Sequence, residues 1–408
     1  MSRGQDGPTN PGEGAPAHPL PRLACARHRD VVVHALLPGS AKARLILPDT
    51  PGDRLITHLR SRKGALYDVV EHVPAAPGAA PEAVPGPVIY GGPLFEHYGH
   101  AVAESIHRLW PRLAGPDLAR VPVAFHPTPR RGGFLTVPAM PGWMRQIFDY
   151  LGLPPGEIVL IDRPLRFDLL LVPDQAKGQT FAARDPGYVD LFPRPLGAAA
   201  GPASGGDRLD VYVSRRHYHH AGSYLGEALV EEILARAGFV IVHPEAEPLS
   251  EVIALFRRAD ALVFSEGSAL HTLELCGRIQ APVLVVARRS VAFCETVFGP
   301  ILAAAAPRHS VFPAREPVTP LDWDIRKEGP KWGNASARVD LRGLLAAIAA
   351  MTGAVLDPPA PEAVATAERL DLLRIILDPR STGPTTDDLH LGRLLRRLRA
   401  QAAESGLA

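Results

Sequence analysis

Between residues 211 and 312 the chain alternates between short apolar runs and stretches of helical length and spacing. The apolar runs fall at 211–214, 239–243, 261–264, 282–287 and 310–312, and the helical stretches at 225–237, 250–258, 268–276 and 292–305. Short apolar strands that each feed a helix make βαβ units, and stacked βαβ units make a mostly parallel sheet with helices on its faces. Ligands of such sheets bind beyond the carboxyl ends of the strands. Here those ends carry Ser214-Arg215-Arg216, Pro244-Glu245 and Ser265-Glu266-Gly267, which are expected to converge on one crevice.

The unit at 260–277, DALVFSEGSALHTLELCG, is the sharpest of the series. A strand at 261–264 meets a glycine turn, and Ser268 stands where it can cap a helix through Leu270, Leu273 and Cys276. A strand–turn–helix of this kind aims backbone N–H groups at whatever lies above the strand, which suits a phosphate. Gly267, Ser268 and Ala269 form the turn, and His271, one turn on, can reach the same ligand. Arg215 would fork onto phosphate oxygens from the neighbouring strand end, while Arg216 would point elsewhere. Glu245 and Glu266 are placed to accept ribose hydroxyls. Glu227, at a helix start, suits the helix dipole and needs no further role. The run His217-Tyr218-His219-His220 looks like a metal tract, but its spacing matches no familiar site. An ordinary strand–helix junction remains the plain alternative for the whole unit.

The first half is less regular. Strand-like runs are expected at 31–37, 43–47, 66–73, 88–90, 121–125, 157–161 and 167–172, with Gly91-Gly92-Pro93 ending the fourth and a helix at 143–151. A Pro/Ala-rich linker occupies 74–87, and a basic, glycine-containing loop 126–133. The block FEHYGHAVAESIHRLWPRLAG predicts one helix over 97–113. Val102, Ile106, Leu109 and Leu113 make its apolar stripe. His97, His100, Glu104 and His107 line the other side. Three imidazoles and a carboxylate on one face admit three readings: a wet helix surface, a general base in a cleft, or a metal site. No recognised zinc motif is present.

Residues 1–21 are rich in Pro and Gly and are expected to be a disordered tail. The segment 193–207 is the best interdomain linker. The expected division is therefore a tail at 1–21, an acceptor-side α/β domain at 22–195, a Rossmann-like domain at 196–355 and a helical extension at 356–408. The last segment, with helices at 362–377 and 389–403, ends in a basic amphipathic helix, a solvated face or a membrane-surface helix. Net charge is only +1, which argues against a nucleic-acid protein relying on many phosphate contacts. Three cysteines, none in a CxxC pair, point to a reducing compartment. With no signal-peptide core and no apolar run near the length of a bilayer span, a cytoplasmic protein is expected, with peripheral membrane attachment through the basic helix as the variant.

Taken together, GGPLFEHYGHAVAESIHRLW, VYVSRR and PEAEPLSEVIALFRRADALVFSEGSALHTLELC resemble, in the same order, the motifs of glycosyltransferase family 61, its bacterial branch in particular. The resemblance covers about half the chain. It implies a GT-B architecture, two Rossmann-like domains with the active site between them. It implies inverting transfer of a sugar from a nucleotide sugar to a glycan hydroxyl, without a metal or other cofactor, in surface polysaccharide assembly. His100 and Glu104 match the first block, with His97 beside them; Arg215 matches the arginine after the strand, and Gly267 with Ser268 the last turn. His100 or Glu104 would deprotonate the acceptor, and the nucleoside diphosphate would leave onto Arg215 and the turn. The chain departs from the family at Gly226, where many members carry Asn, at Val252, where Gln is common, and at Glu266, where His is common. A binding or scaffold protein that lost catalysis, or a sugar-nucleotide epimerase or hydrolase, are the alternatives.

Overall fold

The computed structural model describes residues 23–33, 35, 80–127, 129–130, 133–178, 183, 185, 187–192, 208–324, 329–382, 392 and 395–400. The expected tail at 1–21, the strands at 43–47 and 66–73, the linker at 193–207 and much of the basic helix at 389–403 lie outside the described residues.

The second half is built as its alternation predicts. Strands β6 (Asp210–Val213), β7 (Val240–Val242), β8 (Ala261–Ser265), β9 (Val283–Val286) and β10 (His309–Phe312) form an all-parallel sheet in the order β10-β9-β8-β6-β7. Residues of β8 alternate between two cores. Leu262 and Phe264 pack with α5 (Leu249–Arg258) and α7 (Val291–Ala305). Val263 packs with α4 (Glu227–Arg236) and α8 (Leu341–Thr352) on the opposite face. Burial on both faces is why these strands read as continuous apolar runs instead of alternating ones. Chain order reverses between β6 and β8, and at such a switch point the carboxyl ends of the strands border the crevice in which sheets of this kind bind ligands.

The first half forms a second five-stranded sheet, in the order β1-β5-β2-β3-β4. Here β2 (Glu82–Leu94), β3 (Val123–Pro127), β4 (Ile158–Leu160) and β5 (Leu165–Pro173) are parallel, and β1 (Cys25–Val33) is an antiparallel edge. Its outer face carries Val31, Val88, Tyr90, Phe167 and Val172. The inner face joins α3 (Gly142–Tyr150) and the α5/α7 face of the other sheet in one contiguous core.

Three expectations fail in this half, the first being the linker at 74–87, which is already strand from Glu82 on. Gly91-Gly92-Pro93 does not end the strand: β2 runs through it to Leu94. The reason is close packing. A Cβ on Gly91 would collide with the Phe125 ring, and the pairing with β3 bulges between Tyr90 and Gly92, the latter at φ +82°. Nor is 97–113 one helix. It divides into α1 (Tyr98–Ala103), a 3-10 turn (Ser105–Arg108) and α2 (Trp110–Ala114), with the break at Glu104 (φ −131°, ψ −47°). Val102, Ile106 and Leu109 still reach the core, but the break also turns His107 inward, where it is fully buried. His97, His100, Glu104 and His107 therefore do not share one face.

Candidate functional site

The crevice at the switch point has two walls. One is built from the strand ends. Arg215 follows β6, and its side chain lies against Gly267, where an added Cβ would stand 2.6 Å from Nη1. Gly267 itself is extended (φ −177°), so the small side chain, not the backbone, is what this contact requires. The turn after β8 is a 3-10 segment (Ser268–Thr272) followed by the single turn α6 (Leu273–Cys276). Gly267, not Ser268, occupies the cap position, and no side chain caps the segment there. Ser268 and Ala269 are half-buried and His271 is buried.

Arg215 is held by carbonyls. Its Nε donates to Gly222 O at 2.6 Å and Nη2 to Ala221 O at 3.2 Å. Its backbone N–H donates to Glu227 Oε1 at 2.8 Å. Glu227 is buried and also accepts from Tyr212 at 2.8 Å and from Ser223. This buried carboxylate fastens the loop that presents Arg215, more than a helix-dipole partner would do. Burial pushes its carboxyl up, opposed by the hydrogen bonds from Ser223, Arg215 and Tyr212.

Two arginines that follow β9, absent from the expected set, complete the wall. Arg288 is 5% exposed and donates from Nη1 to Gly333 O and Ala335 O at 3.0 and 2.9 Å. Arg289 donates from Nε to Glu266 Oε1 at 2.6 Å, and Glu266 Oε2 accepts the backbone N–H groups of Arg288 and Arg289 at 2.9 and 3.0 Å. Glu266 is fully buried, and both oxygens are engaged in fixing this arginine pair. Among the described residues, neither Arg215 nor Arg288 has a carboxylate within ion-pair distance. Burial first, then the neighbouring arginines, pulls both guanidinium groups below their ordinary pKa, although Glu227 and Glu266 oppose the shift at Arg215 and Glu266 at Arg288. Positive charge held in this way is relieved by a bound anion. The strand-end reasoning that picks out Arg215 applies equally to Arg288 and Arg289, which occupy the matching place after β9.

The other wall is α1. A Cβ on Gly99 would come within 3.0 Å of His271 Cδ2 and 3.3 Å of Ser268 Cβ, so α1 packs directly on the turn. Tyr98 and Thr272 hydroxyls are 2.7 Å apart. His100 Nδ1 is 2.7 Å from Glu104 Oε1, with side chains 17% and 9% exposed. An ionised carboxylate only accepts, so Nδ1 carries the proton and Nε2 is left as the basic nitrogen. His97 is exposed, its ring centroid 4.9 Å from that of His100. The structure thus brings His97, His100 and Glu104 into one group, and Arg215, Gly267, Ser268 and His271 into another beside it. Glu245 stands apart, paired with His217 at 2.7 Å, and Arg216 turns away to Glu231 at 2.7 Å.

Behind the crevice a buried network ties the walls together. Glu274 Oε2 accepts from Lys177 Nζ at 2.6 Å and lies 2.9 Å from His107 Nε2; Oε1 is 3.1 Å from His271 Nδ1. Tyr188 OH is 3.0 Å from His107 Nδ1. Burial would raise the Glu274 carboxyl, but Lys177 and then His107 and His271 outweigh it and hold it well below the usual carboxylate range. A small cavity lined by His107, Lys177, Tyr188 and Glu274 belongs to this network, not to the crevice.

Two of the family departures have local explanations. Gly226 is left-handed (φ +81°), a conformation that Asn also tolerates, and its N–H donates to Asp371 Oδ2 at 2.7 Å. Val252 is buried in the shared core on α5.

No curated protein matches the chain. The family model for Glycosyltransferase 61 matches residues 98–278, a span that opens at α1 and closes just after α6 and so takes in both walls of the crevice. The match supports a glycosyltransferase, with a sugar donor and an acceptor as its substrates.

Proposed function

We propose that the protein is an inverting, GT-B-type glycosyltransferase that moves a sugar from a nucleotide-sugar donor to a glycan or lipid-linked hydroxyl in surface polysaccharide assembly. Its lobes are about 22–195 and 196–355, followed by the extension at 356–408. The observation that carries this reading is the contact between Arg215 and Gly267 at the switch point, with α1 packed on the same turn. Two guanidinium groups without carboxylate partners suit a diphosphate, and His100–Glu104 suits the removal of a hydroxyl proton.

In the proposed step the acceptor oxygen attacks the anomeric carbon as its proton passes to His100 Nε2. The carbon–oxygen bond to the diphosphate breaks, and the leaving oxygen carries the electron pair. Glu104 stabilises the imidazolium that forms, as a carboxylate does for a general-base histidine. Arg215 and Arg288 stabilise the departing charge, so no metal or other cofactor is needed for the leaving group. Glu266 positions Arg289, while Ser268, Ala269 and His271 shape the donor side. Glu245, paired with His217, lies apart from the donor side and takes no part in this step. Among the described residues no helix is long and apolar enough to cross a membrane. We place the protein in the cytoplasm, with contact to the inner membrane face through the basic C-terminal helix.

The test is turnover with a panel of nucleotide sugars, with and without saccharide acceptors. Transfer to an acceptor with inversion at the anomeric carbon supports the reading. Donor consumption without an acceptor product would indicate a hydrolase or epimerase, and no donor binding at all a scaffold.

A further inference from the structure

The histidine tract after β6 plays no part in the proposed transfer, yet one of its members meets a second imidazole and a carboxylate. His217 lies in the loop after β6, and His243 and Glu245 lie in the turn after the adjacent strand β7. The two strands are tied at this end by Ser214 N–H to Val242 O, 2.9 Å. His217 and His243 rings stack at 4.3 Å and 19°. His217 Nδ1 is 2.7 Å from Glu245 Oε1, and one ligand atom from each of the three residues lies within 4.8 Å of the others.

A second set of groups stands behind them. Glu231 Oε1 is 3.7 Å from His243 Nε2, while Oε2 is anchored by Arg216 at 2.7 Å. Among the described residues, both Glu231 Oε1 and His243 Nδ1 are buried without a hydrogen-bond partner. A carboxylate waiting behind an imidazole is how proteins orient a histidine that binds metal through its other nitrogen.

We propose that His217, His243 and Glu245 bind a divalent cation of the zinc class, with Glu231 orienting His243. Two imidazoles and one carboxylate suit zinc or cobalt; magnesium and calcium prefer all-oxygen sites. Two tetrahedral ligands at about 2.1 Å from the ion stand about 3.4 Å apart, so the His217–Glu245 pair opens by under 1 Å to admit it. His217 and Glu245 side chains are 48% and 25% exposed, which leaves the fourth position to water. The ion would staple the loop after β6 to the turn after β7. That loop also supplies the Gly222 and Ala221 carbonyls that hold Arg215. The inference stands without the transferase reading, because its test is metal binding alone.

The full chain, stripped with a chelator and dialysed, is titrated with Co²⁺ by visible absorption and with Zn²⁺ by calorimetry. The expected result is one equivalent of either ion, a tetrahedral Co²⁺ spectrum and no comparable response to Mg²⁺. His243→Ala and His217→Gln, each with an unchanged far-ultraviolet spectrum, should abolish the signal, and Glu231→Gln should weaken binding by about 10–100-fold. His100→Ala should leave it intact. Absence of Co²⁺ uptake would overturn the proposal, as would uptake that survives His243→Ala or is lost only with His100→Ala.

Discussion

Two charged clusters lie within the same junction, and they are built to opposite plans. Around Glu274 one buried carboxylate is met by Lys177, His107 and His271, and its charge is fully answered. Around Arg215 and Arg288, among the described residues, the guanidinium groups meet carbonyls and, at Arg215, the Tyr218 ring, while the buried carboxylates nearby are engaged elsewhere, Glu266 with Arg289 and two backbone N–H groups and Glu227 with Tyr212, Ser223 and a backbone N–H. A satisfied cluster holds parts together. A cluster left with excess positive charge beside a crevice has chemistry still to do. The difference separates what fastens the two sheets from what meets the donor.

Removing Glu274 is the most severe way to test this contrast. Glu274→Ala leaves Lys177 buried without its counter-charge and should cost about 3–5 kcal/mol in urea unfolding. A loss under about 1 kcal/mol would show that the network is not the tie. His100→Ala works the other way round. Transfer should fall by about 10²–10⁴-fold, with donor affinity and unfolding midpoint nearly unchanged; an unaltered rate removes His100 as the base.

Acid should act on the first cluster. Burial pulls the His107 and His271 imidazoles below their ordinary value, and the Glu274 carboxyl is held low. In the unfolded chain histidine takes up a proton near pH 6.5 and glutamate near pH 4.3. Each of these groups binds protons more readily unfolded than folded, so their contribution is complete above about pH 6.5 and declines as the pH falls through both ranges. Thermal melts from pH 8 to 4 should show that decline; a midpoint that rises on acidification would contradict it. The mildest change is Gly267→Ala. Its extended backbone accepts alanine, but the new Cβ would stand 2.6 Å from Arg215 Nη1 and displace the guanidinium. Donor affinity should drop by about tenfold, roughly one charge-assisted hydrogen bond weakened, with stability little altered.

The comparison also marks what could be read from the chain alone. The parallel sheet was legible because its strands are buried on both faces and each feeds a helix. Arg215 was legible because a strand end of such a sheet is where ligands bind, and Arg288 and Arg289 satisfy the same criterion. The Glu274 network was not legible: Lys177 and Glu274 are 97 positions apart, and tertiary packing of the first half against the turn after β8 and α6 joins their surroundings. His107 misled for a related reason. Helical periodicity sets it beside His100, but tertiary burial against Glu274 and Tyr188 goes with a break at Glu104 and draws it into the core. Glycines misled in β2, where Gly91 and Gly92 serve a close contact and a bulge instead of a stop.

The most direct measurement is calorimetric titration of a nucleoside diphosphate into the wild-type protein and into Arg215→Ala. The account predicts saturable binding to the wild type, weakened by about 1.5–3 kcal/mol in the variant because a charge-assisted contact to phosphate is lost. Equal affinity in the two proteins would contradict it.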